Sequence, residues 1–106
     1  MSKFEERSKA MENMYIMEEE QRFKISIAAA KELVTWAATE LGYDETQTAD
    51  YKRALVAGVL IEEGISALLK RLEDDLTRAN NYYSLTDLQA RFENAFQRHR
   101  AELLAG

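Results

Sequence analysis

The sequence predicts an all-α protein: a four-helix bundle with a long first helix and a partly flexible N-terminal arm. Apolar residues recur at steps of three and four, which is the spacing of one face of an α-helix. The chain has no Pro, and no segment alternates β-branched with polar residues as a strand would. Gly42, Gly64 and the pair Asn80-Asn81 interrupt the apolar pattern, which indicates helices joined by short turns.

The first helix is predicted to continue without a break to Leu41, because neither Gly nor Pro interrupts residues 9–41. Gly42 follows directly and is a suitable helix stop, since Gly adopts positive φ without a steric penalty. The inward stripe of this helix is predicted to consist of Phe23, Ile27, Ala30, Leu33 or Val34, Ala37 and Leu41.

The second helix is predicted over about residues 46–62, with Asp44 or Thr46 as its cap. Asp44 and Gln47 have the spacing of a capping box. Gly58 lies inside this helix, where Gly costs about 1 kcal/mol relative to Ala, so we expect close helix packing there as compensation. The predicted inward residues are Tyr51, Leu55, Val56, Val59 and Leu60.

Two shorter patterns predict the third and fourth helices. The third would begin at a Ser66 cap and end near Arg78, with Leu68, Leu69, Leu72 and Leu76 inward. Asn80-Asn81 indicates a turn, because Asn tolerates left-handed backbone. The fourth would begin at Ser84 or Thr86. Its inward stripe would consist of Leu85, Leu88, Phe92, Phe96 or Ala95, His99 and Leu103.

Composition excludes several classes of protein. The chain has 106 residues, a net charge of −5 and no Cys, which suits one domain without disulfides or thiolate metal sites. Its longest apolar run, residues 54–61, is much shorter than the ~20 residues of a membrane span. We therefore expect no membrane insertion and a cytoplasmic location. An acidic chain without a basic stripe also argues against nucleic-acid binding, because that affinity depends on neutralising phosphates.

No residue pattern predicts catalysis, so the protein is expected not to be an enzyme and to need no cofactor. His99 is the only His, and no Glu-x-x-His motif of the kind that binds di-metal centres is present. The acidic runs 18–20 and 73–75 are interpreted as solvated faces, because consecutive helical residues diverge around the axis. A metal-binding bundle using residues 18–20, Glu62, Glu63 or His99 remains a competing hypothesis. Trp36 is interpreted as an anchor between helices, with an exposed recognition Trp as the alternative.

The opening segment FEERSKAMENMYIMEEE, residues 4–20, mixes charges with three Met, a Phe, a Tyr and an Ile. Its apolar residues wrap around more than one helix face, yet nothing in the sequence breaks the helix. From the residues alone, two interpretations stay open. The segment is either the extended start of a packed first helix, or an arm that docks as an amphipathic helix in a partner's groove.

Several motifs in residues 4–76 resemble one protein family. Phe4, Arg7, Lys9, Ala10 and Glu12 fit the opening pattern F-x-x-R-x-K-A-x-E. The other matching pieces are EEQRFK at 19–24, WAATELG at 36–42, Ala49, Tyr51 and Asp75-Leu76. Together they resemble the zeta subunit family of alphaproteobacterial F-type ATP synthases. The resemblance covers about two thirds of the chain, and the last 25 residues match only as a helix.

The resemblance implies a four-helix inhibitor whose N-terminal segment becomes helical on the catalytic head of the ATPase and blocks ATP hydrolysis. Residues 1–18 would be the partner-binding arm and residues 19–106 the bundle. The partner would be the α/β/γ catalytic head of F-type ATPase, and nucleotide binding is left open. The contact residues implied on the arm are Phe4, Arg7, Lys9, Met11, Met14 and Tyr15.

The sequence departs from the family pattern at three places. Ala28-Ala29 stand where the family usually has two Arg, Ile65-Ser66-Ala67 replace an acidic run, and Val34 replaces a Gly. These differences remove charges that a partner could contact. They keep open an alternative function, that of a divergent paralogue acting as a helical protein-interaction module with a different partner.

Overall fold

The structure, a computed structural model, describes the backbone of residues 2–105 and the side chains of residues 19–105. Within that range the chain forms four helices and no strand, as predicted. Helix α1 is Ser2–Glu40, 39 residues without a break, so the long first helix is confirmed. The predicted arm, residues 1–18, lies outside the range of described side chains, and its division from the bundle stays a prediction.

Gly42 ends helix α1 as predicted. Its φ is +78°, and its N–H donates to the Thr39 carbonyl at 3.0 Å. The next N–H, of Tyr43, reaches back to the Ala38 carbonyl, also at 3.0 Å. These two bonds form a Schellman motif, which satisfies carbonyls that the helix end would otherwise leave unpaired.

Helix α2 covers residues 45–63 and contains a segment that the sequence did not predict. Two α-helical parts, Glu45–Lys52 and Ile61–Glu63, flank a π-helical segment, Arg53–Leu60. Asp44 caps the helix: its Oδ1 accepts from the Gln47 N–H at 2.8 Å, and Gln47 Oε1 accepts from the Asp44 N–H at 2.9 Å. The predicted capping box is therefore confirmed.

Gly64 separates helix α2 from helix α3, which is Ile65–Arg78. Ser66 was predicted to cap this helix, and that prediction is wrong. Gly64, with φ +95°, takes the cap position without any side-chain cap bond, so Ser66 already lies in the first turn. After the turn at Asn80 (φ 62°), helix α4 is Leu85–Ala105, and Ser84 Oγ accepts from the Asp87 N–H at 3.1 Å.

The core lies where all four helices meet, and most of the predicted inward residues reach it. Phe23 and Leu103 do not: 59% of Phe23 and 44% of Leu103 are exposed. Ile25 is the first buried residue of α1 among those described, and residues 101–105 of α4 are exposed throughout, so both lie beyond the ends of the core. The central cluster consists of Ala30, Leu33, Val34, Ala37, Leu55, Val56, Leu68, Leu69, Leu72, Leu76 and Leu88.

Gly58 does not mark a close helix contact, contrary to the prediction. A Cβ placed on it would meet no atom within 4 Å beyond its own helix. Val34 and Ala29, two positions where the sequence departs from the zeta pattern, are fully buried. No helix in the described part of the chain is long and apolar enough to span a membrane.

Candidate partner-binding surfaces

The predicted contact residues all lie on the N-terminal part of α1. Their side chains fall outside the described residues, so their role as a binding surface stays a prediction. The six residues are Phe4, Arg7, Lys9, Met11, Met14 and Tyr15.

The described part of α1 shows where the helix leaves the bundle. From residue 19 to residue 24 every side chain is exposed except Gln21, which is half-buried, and Phe23 is among the most exposed apolar residues. Burial begins at Ile25. A 39-residue helix is roughly 58 Å long at about 1.5 Å per residue, so α1 is far longer than α4, which has 21 residues.

An ion pair on the bundle surface joins α1 to α4. Arg98 donates to both carboxylate oxygens of Glu32, at 2.9 and 2.6 Å, which is the two-bond geometry that suits a guanidinium and a carboxylate. The Arg98 hydrogen bond holds the pKa of Glu32 below its usual value. The same contact raises the pKa of Arg98. Both side chains are largely solvated, so this pair orients the two helices more than it stabilises them.

Trp36 is an anchor between helices, as predicted. Tyr83, in the segment before α4, meets it edge-on with ring centroids 4.9 Å apart. Arg91 of α4 lies over the Trp36 ring, with Cζ 4.1 Å from the centroid, and 5.4 Å from the Tyr83 centroid. The Tyr83 hydroxyl donates to Glu40 at 3.2 Å. Trp36 is half-buried against the core cluster, so its face is occupied by this chain's own residues.

Asp75 joins α2 to α3 and corrects the interpretation of residues 73–75 as a solvated face. Only 11% of its side chain is exposed, and the Tyr51 hydroxyl of α2 donates to Oδ2 at 2.6 Å. Arg71 donates to the same oxygen at 2.9 Å, and Arg78 donates to Oδ1. Burial and then the Asp75 hydrogen bond raise the pKa of Tyr51.

The sequence contained a signal for this contact. Tyr51 lies on the predicted inward face of α2, and a buried Tyr hydroxyl normally needs a polar partner. The partner's identity was not predictable, since it depends on how α2 and α3 pack. Tyr51 and Asp75 are both among the residues that resemble the zeta family, and the structure brings them together.

His99 and the acidic residues form no metal site in the described part of the chain. His99 Nε2 is buried without a hydrogen bond, 3.8 Å from Glu32, and Nδ1 is 3.8 Å from Glu102. No three His, Asp or Glu side chains among the described residues are grouped so that they could hold a metal ion. Glu62, Glu63 and His99 are therefore not brought together as the metal hypothesis requires.

These features define a small all-α protein whose described polar clusters link its own helices and whose first helix extends beyond the core. Within that class, the chain belongs to the ATPase inhibitor subunit zeta family, since the family's sequence model matches residues 1–102. The predicted family is thereby confirmed, and the match continues past Leu76, where the motif resemblance ended. No curated protein and no solved structure matches the chain significantly.

Proposed function

We propose that this protein is a non-catalytic regulator that binds the catalytic head of an F-type ATPase and blocks ATP hydrolysis through its N-terminal helix. The family match carries the proposal, because it includes the N-terminal segment as well as the bundle. The contact surface would be formed by Phe4, Arg7, Lys9, Met11, Met14 and Tyr15. The site of action would be the cytoplasmic face of the enzyme.

The form of helix α1 supports an arm that acts away from the bundle. Ser2–Glu40 is one helix, and its described side chains become exposed N-terminal to Ile25. Among the described residues of α1, burial begins at Ile25, and no residue from 19 to 24 is fully buried in the bundle core. A helix presented in this way fits recognition by a groove, with Met and aromatic residues as the adaptable contacts.

The mechanism requires no reacting group. A helix wedged between an α and a β subunit of the head would prevent the closure that ATP hydrolysis needs, just as closing motions gate other enzymes. The bundle would serve as an anchor, and its attachment would raise the effective concentration of the arm at the interface. Loss of the arm is then expected to abolish inhibition even when the bundle stays folded.

The experiment measures ATP hydrolysis by the cognate catalytic head with full-length protein and with a variant lacking residues 1–18. Full-length protein should inhibit hydrolysis and the truncated variant should not. Circular dichroism of the truncated variant should retain the cooperative thermal transition, because the buried residues that the structure describes begin at Ile25 and all remain in this variant. Unchanged hydrolysis with the full-length protein would refute the proposal.

A matched pair of point variants tests the contact surface. Tyr15→Ala should weaken inhibition, because it removes an aromatic contact from the arm. Tyr82→Ala is the control, since Tyr82 is an aromatic residue outside residues 1–18 that is 75% exposed in the turn between α3 and α4. Equal inhibition by both variants would show that Tyr15 does not contact the head.

A further inference from the structure

A groove of about 480 Å³ lies between helices α1 and α2, and we call it the basic groove. Ile27 of α1 and Ala49, Ala57 and Ile61 of α2 form its apolar surface, with the buried Val56 at its base. The cations along it are Lys31, Lys52 and Arg53. Ile61 is 57% exposed, so the groove presents a large apolar side chain to solvent.

The π-helical segment of α2 creates this surface. Lys52 and Ile61 are nine residues apart, which is ~2.5 turns of an α-helix, so they would lie on opposite sides of a regular helix. A π-helix bonds residues five apart and takes roughly 4.4 residues per turn, so the same interval makes about two full turns. The Ile61 N–H reaches the Val56 carbonyl in this way. The wider turns therefore bring the Lys52 cation and the Ile61 side chain to the same groove.

The charges of the groove are largely unneutralised. Neither Lys31 nor Lys52 forms an ion pair with any described residue. Arg53 approaches Asp50 at 3.4 Å, but both side chains are well exposed, so this pair is weak. The chain as a whole carries a net charge of −5. The groove, with three cations around apolar side chains, therefore has the opposite charge to the protein as a whole.

We propose that the basic groove binds an acidic amphipathic helix of a partner protein. The apolar face of that helix would cover Ile27, Ala57 and Ile61, and its flanking carboxylates would pair with the rim cations. This contact is separate from the N-terminal arm. It gives the bundle a binding surface of its own, with a preference for negative charge.

The test is a titration of ¹⁵N-labelled full-length protein with a synthetic amphipathic peptide, followed by NMR. The peptide carries Leu at every third or fourth position and Glu at the flanking positions, and a second peptide has Lys in place of each Glu. The Glu peptide should shift amide signals along residues 27–31 and 49–61, with an affinity that falls as salt is added. The Lys peptide should bind far more weakly.

Matched variants separate the groove from the rest of the surface. Lys31→Gln combined with Lys52→Gln should weaken binding of the Glu peptide by roughly fivefold, as expected for two partly screened charge contacts. Lys70→Gln removes an α3 cation that already pairs with Glu73 at 3.1 Å, and should leave the affinity unchanged. Ile61→Ala should also weaken binding, whereas Leu104→Ala, at a similarly exposed apolar residue of α4, should not.

Three results would overturn the proposal: equal binding of the two peptides, no shift at all, or shifts located away from the groove. Signals of the groove that move with protein concentration in the absence of peptide would indicate a second copy of the chain as the occupant instead. Thermal unfolding of each variant by circular dichroism verifies that the comparison is made between folded proteins.

Discussion

Replacing Tyr51 by Phe tests whether the Asp75 contact holds α2 against α3. The change removes one hydroxyl and keeps the ring, so packing against the core is retained. The lost bond is 2.6 Å long, half-buried and made to a carboxylate that is 11% exposed. Hydrogen bonds to charged groups contribute about 1.5–3 kcal/mol.

The expected loss lies at the lower end of that range, because Asp75 keeps its bonds to Arg71 and Arg78 and is not left unpaired. We expect the free energy of unfolding to fall by ~1.5 kcal/mol and Tm to fall by roughly 6–12 °C for a domain of this size. Asp75→Ala should cost more, about 3 kcal/mol, since three donors lose their acceptor.

The assay is urea unfolding followed by far-UV circular dichroism, with the dependence on denaturant fitted for each variant. The slope should stay unchanged while the midpoint falls. A double-mutant cycle of Tyr51→Phe and Asp75→Ala should give a coupling energy of ~1.5 kcal/mol. Tyr82→Phe is the control, because its hydroxyl bond to Asn80, at 3.2 Å, is exposed, and it should change stability by less than ~0.5 kcal/mol.

Two outcomes would refute the reasoning. If the free energy of unfolding of Tyr51→Phe lies within ~0.3 kcal/mol of that of the parent protein, the hydroxyl does not stabilise the α2–α3 contact. If the two substitutions are additive, Tyr51 and Asp75 act independently, and their proximity has no energetic consequence.

Further predictions concern pH and backbone. Because the pKa of Tyr51 is raised in the folded state, the protonated hydroxyl contributes fully to the free energy of unfolding below about pH 10, and this contribution is lost as pH rises above that value. The urea midpoints at about pH 8 and about pH 10.5 should therefore differ less in Tyr51→Phe than in the parent protein. The pKa of Glu32 is lowered in the folded state, so its small contribution to the free energy of unfolding is lost as pH falls below about 4.3. Glu32→Gln should therefore make the free energy of unfolding depend less on pH in acid. Gly58→Ala should raise the free energy of unfolding by ~0.5–1 kcal/mol in thermal melts, since the added methyl meets nothing. Gly64→Ala should lower it by ~1–3 kcal/mol, because φ +95° with ψ 176° strains any residue with a Cβ.

Most helix ends were predictable because the interactions that form them are local. Gly42, the Asp44 and Gln47 capping box, and Ser84 each act within a few residues of the chain, and all three appear in the structure. Ser66 shows the limit of this reasoning. It has the right chemistry for a cap, but Gly64 takes the cap position two residues earlier.

The candidate surfaces were less predictable, because they depend on packing between distant residues. In the sequence, Asp75 is one of three consecutive acidic residues and nothing distinguishes it from the other two. Only the structure shows that it is largely buried and bonded to Tyr51 of α2. Phe23 continues the apolar spacing of α1, yet no other helix reaches it, so it is exposed. Spacing shows which face a residue shares, and the positions of the neighbouring helices decide whether that face is covered.

The sequence by itself determined the all-α class, the long first helix, the turn residues and the resemblance to the zeta family, because these depend on local chemistry and on residue patterns. Only the tertiary structure decided which acid pairs with Tyr51. It also revealed the π-helical turns of α2, which bring Lys52 and Ile61 into one groove. The wider turns of a π-helix change which residues are neighbours around the helix axis. The sequence analysis assumed about 3.6 residues per turn throughout, so it could not predict these neighbours.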